Sequence, residues 1–367
     1  MIINSIAKDF ENIIAIDTAK TSFQVYVVNQ KINRRRNDKV TRKKFVEHIT
    51  KLGTGLIFME SCSASQYWAR EFEKLGFTVK LIAAQHVKAF LYNKKIKNDA
   101  KDAEAIFKCG MQPDTKFVRV KSVEEQTVAL LHTLRKGEIK HRVQLCNRIR
   151  GVLAEFGIIT DKGRNNFDKN MSELRAQCEK EISNLHLKSA IDALFDEYKE
   201  SLEREDKYTQ QILQNRHDEL NKLAMSCPGV GEITASAIVA EVGKAKQFKN
   251  GREMSAWLGL VPSQHSTGGR STLGGITKTG NKYIRGLLDQ CANSIYRNAK
   301  THLDKGTDNQ LDRFALRLKS KGKPAGKIAM ALANKIVRIL WAVLSSGNEF
   351  KSNINFQDKD RDVLCLE

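Results

Sequence analysis

Two apolar runs near the start of the chain each end on an acid. Asn12-Ile13-Ile14-Ala15-Ile16 runs into Asp17, and Gly55-Leu56-Ile57-Phe58-Met59 runs into Glu60. Runs this short, bounded by turn signals, predict buried strands, so a fold for this chain must present carboxylates at strand ends. Asn12–Thr18 and Ser22–Asn29 predict a hairpin turning near Ala19-Lys20-Thr21. A helix over 40–52, a strand over 55–60, a helix over 66–75, a strand over 77–82 and short helices over 85–93 and 99–109 follow. Strands interleaved with helices indicate an α/β sheet domain. Asp99 and Asp102 stand three apart, on one face of the last of these helices.

Carboxylates that converge suit hard divalent cations, which prefer oxygen ligands. Taken singly, an acid after a strand is an ordinary turn residue, and an acidic pair three apart is an ordinary solvated face. These acids belong to a chain that is otherwise basic: 62 Lys plus Arg against 42 Asp plus Glu, a formal net charge of +20 and a pI of about 9.6. That balance favours a polyanionic partner, DNA, RNA or an anionic membrane, over a merely soluble basic protein. A basic surface gripping a backbone, with acids holding a metal that activates phosphate, is what phosphodiester cutting requires.

The seven cysteines form no C-x-x-C pair and the eight histidines no ligand spacing, which argues for a reducing compartment and against disulfides or structural zinc. The first residues lack the long apolar segment of a signal peptide. The apolar stretch 328–344 is interrupted by Asn334, Lys335 and Arg338, so it predicts a buried helix rather than a membrane span. A cytoplasmic protein with no membrane partner is the expectation.

Only four prolines occur, and nothing between Pro113 and Pro228 forbids long helices. Leu145, Ile149, Val152, Leu153 and Phe156 repeat at helical spacing, as do Ile191, Leu194, Phe195, Tyr198 and Leu202, with a polar break over 161–169. An antiparallel helical arm follows, either a spacer or a coiled coil joining protomers. The expected domains are an α/β unit over 1–120, the arm over 121–225, a mainly helical unit over 226–347 and a polar tail over 348–367.

Cys227-Pro228-Gly229-Val230-Gly231 resembles a helix-hairpin-helix turn, in which Gly229 and Gly231 would let backbone N–H groups approach a phosphate. A plain helix-start turn is the simpler reading. A Gly/Ser/Thr loop spans 263–280, including Ser263-Gln264-His265-Ser266-Thr267-Gly268-Gly269-Arg270 and Lys278. Its hydroxyls are possible nucleophiles beside cations, or an anion cradle. Arg34, Arg35, Arg36, Lys43 and Lys44 in the basic run 31–44, with Arg270, Lys278, Lys282 and Arg285, are the expected nucleic-acid contacts.

The order Ile14-Ala15-Ile16-Asp17-Thr18-Ala19-Lys20, Met59-Glu60-Ser61, Lys97-Asn98-Asp99-Ala100-Lys101-Asp102-Ala103, Pro-Gly-Val-Gly and Gln-His-Ser-Thr-Gly-Gly carries a resemblance over roughly residues 12–345. The chain resembles a DEDD transposase of insertion-sequence family 110, a group that includes the Piv/MooV DNA invertases. The resemblance implies a RuvC-like (ribonuclease-H-like) N-terminal domain, a coiled-coil arm and a C-terminal transposase domain. It also implies Mg²⁺, with Mn²⁺ as a possible substitute, held by Asp17, Glu60, Asp99 and Asp102. The family's nucleophilic serine maps to Ser266, with Thr267 adjacent in register and Ser263 and Ser271 as alternatives; it would form a transient phosphoserine link. The resemblance further implies a composite site in a homotetramer built from homodimers. Its partners would be donor and target DNA and a structured noncoding guide (bridge) RNA. Two other readings stay open: a site-specific invertase without guide RNA, and a RuvC-like junction nuclease with water as nucleophile. A noncatalytic nucleic-acid scaffold is a third.

Overall fold

The computed structural model describes residues 5–91, 99–160, 163–267 and 270–351, so Lys97, Asn98, Gly268, Gly269 and the tail beyond Lys351 lie outside the described residues. The chain divides into two units, Met1–Val123 and Glu124–Glu367.

The first unit is built on a six-stranded sheet in the order β3-β2-β1-β4-β5-β6. Its strands are β1 (Asn12–Thr18), β2 (Ser22–Asn29), β3 (Arg34–Thr41), β4 (Leu56–Ser61), β5 (Thr78–Ala83) and β6 (Phe117–Val118). β1, β2 and β3 form an antiparallel meander, while β4 pairs parallel to β1 and β5 parallel to β4. A mixed sheet flanked by helices fits the α/β N-terminal domain that the sequence predicts. Central β1 is buried continuously over Ile13–Ile16, as a strand covered on both faces should be.

Alternation splits the strand residues between two cores. Ile14, Ile16, Val25, Ile57 and Met59 pack with Phe45 and Ile49 of helix α1 (Phe45–Thr50) and with Trp68 and Phe72 of helix α2 (Ser65–Lys74). Ile13, Ala15, Tyr26, Leu56 and Phe58 face the other way, onto Ala103, Ile106 and Cys109 of helix α4 (Asp99–Gly110), which follows the short α3 (Ala84–Val87). α4 lies close on the sheet: a Cβ on Gly110 would stand 2.5 Å from the Phe58 ring.

Two expectations for this unit need correction. The helix expected over 40–52 does not begin at 40: Arg34–Thr41 of the basic run is a strand, and the helix runs from Phe45 to Thr50. Among the described residues β3 pairs only with β2 and has no strand on its other edge, so charged side chains on both faces are tolerated there. The expected helix over 85–93 is one turn, Ala84–Val87, followed by a 3₁₀ turn over Lys88–Phe90.

The second unit opens with three helices, α5 (Val123–Glu155), α6 (Arg164–Glu181) and α7 (Leu185–Leu213). Leu145, Ile149 and Leu153 of α5 pack with Phe167 and Leu174 of α6 and with Ile191, Phe195 and Tyr198 of α7. The polar stretch expected as a break therefore contains the start of a helix, because Phe167 inside it is buried between Phe195 and Tyr198. α5 and α7 are also joined by charge: Arg142 meets Glu205 at 2.5 Å and Arg204 meets Glu138 at 3.2 Å.

The remainder is helical around one core. It comprises α8 (Glu219–Met225), α9 (Glu232–Val242), α10 (Gly251–Trp257), a hairpin of β7 (Pro262–Thr267) and β8 (Arg270–Ile276), then α11 (Lys282–Asp304), α12 (Gln310–Ser320) and α13 (Ala325–Ser346). α13 is long and apolar enough to cross a membrane by length and composition, but its Ile328, Leu332, Ile336 and Leu340 lie in this core. Buried His132 of α5 meets Ser236 of α9 at 3.2 Å and the Tyr283 hydroxyl of α11 at 3.1 Å.

Candidate active site

The β1–β4 register, Ile13↔Leu56 to Ile16↔Met59, brings Asp17 and Glu60 abreast as the next residues on two parallel strands. Both share parity with Ala15 and Phe58, so they lie on the sheet face that α4 covers. Asp102 belongs to the first turns of α4. Glu60 holds its proton more tightly than an ordinary carboxyl, first because it is partly desolvated and second because Asp102 carries like charge; Lys88 opposes both effects. The structure thus brings Asp17, Glu60 and Asp102 to one end of one face. Asp99 opens the same helix, but its side chain lies outside the described set. Among the described residues, no group of three or more His, Cys, Asp or Glu converges closely enough to hold a metal ion. The chemistry still suits one: the donors are all carboxylate oxygens, and a repelling pair such as Glu60 and Asp102 is what a divalent cation relieves.

Several neighbours went unnoticed in the sequence. Gln24 stands directly across β2 from Asp17 and is buried. Asn37 of β3 sits diagonally beside it, accepts from Gln24 Nε2 at 2.5 Å, and donates to the Ala100 carbonyl of α4 at 3.0 Å. At the strand ends, Thr18 Oγ1 and Cys62 Sγ lie 2.9 Å apart. Alternation along β2 could have placed Gln24 on the acidic face once the hairpin was accepted.

The stretch expected as a Gly/Ser/Thr loop is instead a β-hairpin in which Ser266 pairs with Ser271 and Thr267 with Arg270. The signal was present: Gly-Gly between two runs is a hairpin sequence. Ser266 is exposed, and Gln264, two residues back on the same strand face, donates to its Oγ at 2.8 Å. The root of the hairpin is clamped by backbone bonds, Thr277 N to Val261 O at 2.9 Å and Lys278 N to Gly259 O at 3.1 Å. Gly259 and Gly280 both have positive φ, and a Cβ at Gly280 would sit 2.2 Å from the Trp257 carbonyl.

Two models of known families match, one over each part of the chain. Residues 14–158 match the DEDD transposase model of the IS110 group, described as "Transposase", and residues 221–305 match "Transposase IS116/IS110/IS902 family". A "Probable family 20 transposase" of Pseudomonas aeruginosa is 38% identical over 338 residues, covering 90% of this chain and 96% of the relative. The "Transposase for insertion sequence element IS1111A" of Coxiella burnetii is 32% identical over 345 residues, covering 92% of this chain and 91% of its own length. The chain belongs to the IS110 family of transposases. A "Pilin gene-inverting protein" of Moraxella bovis is also similar, 23% identical over 189 residues, 50% of this chain and 55% of that one.

The protein is therefore a DNA transposase, an enzyme that cuts and rejoins DNA. Its DEDD domain carries an expectation of divalent-metal dependence. Of the basic residues expected to serve this transposase, Arg34, Arg35 and Arg36 are exposed on the β3 edge strand, with Arg36 also paired to Asp38 at 2.8 Å. Lys43 and Lys44 are exposed in the following 3₁₀ turn. Lys278 and Lys282 are exposed near the hairpin root, whereas the side chains of Arg270 and Ser271 lie outside the described set. Arg285 turns inward instead: its guanidinium donates to the carbonyls of Leu258 and Thr279, a brace for the hairpin root. The two glycines of the Pro-Gly-Val-Gly turn also differ. Gly229 is needed for packing, since a Cβ there would meet Ile295 at 2.7 Å, whereas Gly231 caps α9 with open space around it.

Proposed function

We propose that this transposase is an RNA-guided DNA recombinase that cuts and rejoins donor and target DNA through a phosphoserine on Ser266. The observation that carries this reading is the exposed Ser266 hydroxyl on a hairpin braced at its root, with Gln264 donating to it. Ser266 Oγ attacks a backbone phosphorus, a new P–Oγ bond forms, and the bond to a deoxyribose oxygen breaks. The serine proton passes to solvent, and the leaving oxygen is released as a hydroxyl. A deoxyribose hydroxyl of the other DNA then attacks the phosphoserine, restores a phosphodiester and returns the serine. One ester replaces another at each step, so bond energy is conserved and no nucleotide hydrolysis is needed; the chain has no Walker-type G-x-x-x-x-G-K-[ST] segment.

Asp17, Glu60, Asp99 and Asp102 would hold Mg²⁺, or Mn²⁺ in its place. When bound, the cation would neutralise charge on the phosphate. The side chains themselves must stay ionised and aimed at one end of the sheet. Supply of the acids and of Ser266 from different protomers, in a homotetramer built from two homodimers joined through the helical arm, belongs to the same proposal. So does a guide RNA seated on the basic surface of a cytoplasmic, nucleoid-bound protein. Copurification of the protein with nucleic acid from its native operon tests the guide: a discrete noncoding RNA is expected, and its absence from an active preparation overturns the guided reading. The likeness to a pilin gene-inverting protein favours a second reading, inversion by the same chemistry without a guide.

A further inference from the structure

α4 carries two of the four acids, and its first turn is tied to the sheet by a pair of side-chain amides. The Ala100 carbonyl can only accept a hydrogen bond, so Asn37 must present its Nδ2 there, at 3.0 Å. That leaves Asn37 Oδ1 to accept, and Gln24 must in turn present its Nε2, at 2.5 Å. The direction of both amides is therefore dictated by a single backbone oxygen. Gln24 is buried and pairs across the strands with Asp17, while Ala100 lies between Asp99 and Asp102. The relay thus runs from beside one acid to the backbone that carries two others, over three elements distant in sequence.

We propose that Gln24 and Asn37 are positioning residues: together they set the height of the α4 first turn over the strand ends, and so the spacing of Asp99 and Asp102 from Asp17 and Glu60. Asn37 gives one end of its amide to Gln24 and the other to the Ala100 carbonyl, so the pair acts through the place where it holds the helix. An outer shell of this kind commonly changes metal affinity by ten- to a hundredfold when removed. The inference rests on the carboxylates being the cation site.

The test is calorimetric titration of the full-length protein with Mn²⁺ alone, in the absence of nucleic acid. Asn37→Leu is expected to weaken binding roughly tenfold, and Gln24→Met by less. In the double variant the Gln24 change should add nothing, because the two act in series. Hydrogen exchange at the amides of 103–106 should quicken in Asn37→Leu. Asn37→Ser, a smaller polar replacement, guards against misfolding by the leucine. Unchanged Mn²⁺ affinity in both Asn37 variants, or additive effects in the double variant, overturns the relay. Asp17→Asn and Asp102→Asn are the separate control: if they leave Mn²⁺ binding intact, the cation site itself is wrong, whatever the amides do.

Discussion

At the scale of single residues, Ser266 and Gln264 make the sharpest pair. The Gln264 nitrogen would strengthen its hydrogen bond as the serine oxygen takes on charge, and bonds to charged groups are worth about 1.5–3 kcal/mol. Gln264→Leu is therefore expected to lower the yield of covalent protein–DNA adduct by about tenfold or more. Ser266→Ala should abolish the adduct while leaving DNA binding in place. Both are read on denaturing gels with end-labelled DNA, and an adduct that persists in Ser266→Ala would move the nucleophile elsewhere. His132 supplies a second prediction. Burial, assisted by Arg135, pulls its pKa from 6.5 down to about 4. A group with a depressed folded pKa stabilises above its unfolded value and loses that contribution as the pH falls through the folded one. The second unit should therefore weaken between about pH 6.5 and pH 4, by up to about 3 kcal/mol at 1.36 kcal/mol per unit. Urea unfolding of His132→Asn should show a shallower acid dependence across that window.

Among elements, α4 and the hairpin are each held by a close backbone approach that a methyl group would disturb. Gly110→Ala would press a carbon into the Phe58 ring and lift α4 from the sheet. Overpacking of this kind costs about 1–3 kcal/mol, which denaturant titration would detect. Gly280→Ala combines positive φ with a carbonyl in the way. It should destabilise by about 1–3 kcal/mol and reduce adduct formation as the hairpin root opens. These elements were unequally legible in the sequence. β1, β2, β4 and β5 announced themselves as apolar runs, because buried strands must be apolar on both faces. β3 was hidden by its arginines, which an edge strand accepts because one side of it stays in water. β7 and β8 left only the Gly-Gly turn as a signal: Ser, Thr, Gly and Gln give no apolar alternation, and their pairing is secured by backbone bonds at the root. The acids could be placed at strand ends and a helix start from sequence alone, and alternation could put Gln24 on their face, whereas the bonds that Gln24 and Asn37 make could not be read there. Their partners are another amide and a main-chain carbonyl, and neither leaves a trace in residue type.

For the whole molecule, the charge of +20 sets how it meets DNA. Each cation that neutralises a duplex phosphate contributes about 0.9 to the slope of log affinity against log salt. Replacing Arg34, Arg35 and Arg36 together by Ala should flatten that slope by up to about 2.7 if all three reach phosphates. Arg36 is already engaged by Asp38, so a change nearer to two arginines' worth is expected. Arg285→Ala should act differently, since its guanidinium braces carbonyls: hairpin stability should fall and the salt slope should hold. The arginines of β3 also have a task when no nucleic acid is near. A bare strand margin invites other chains to zip onto it, and mutual repulsion between three cations keeps copies of the sheet from fusing. Swapping them for valine or threonine should therefore yield fibres or precipitate from otherwise folded protein, visible by light scattering in concentrated, DNA-free stocks.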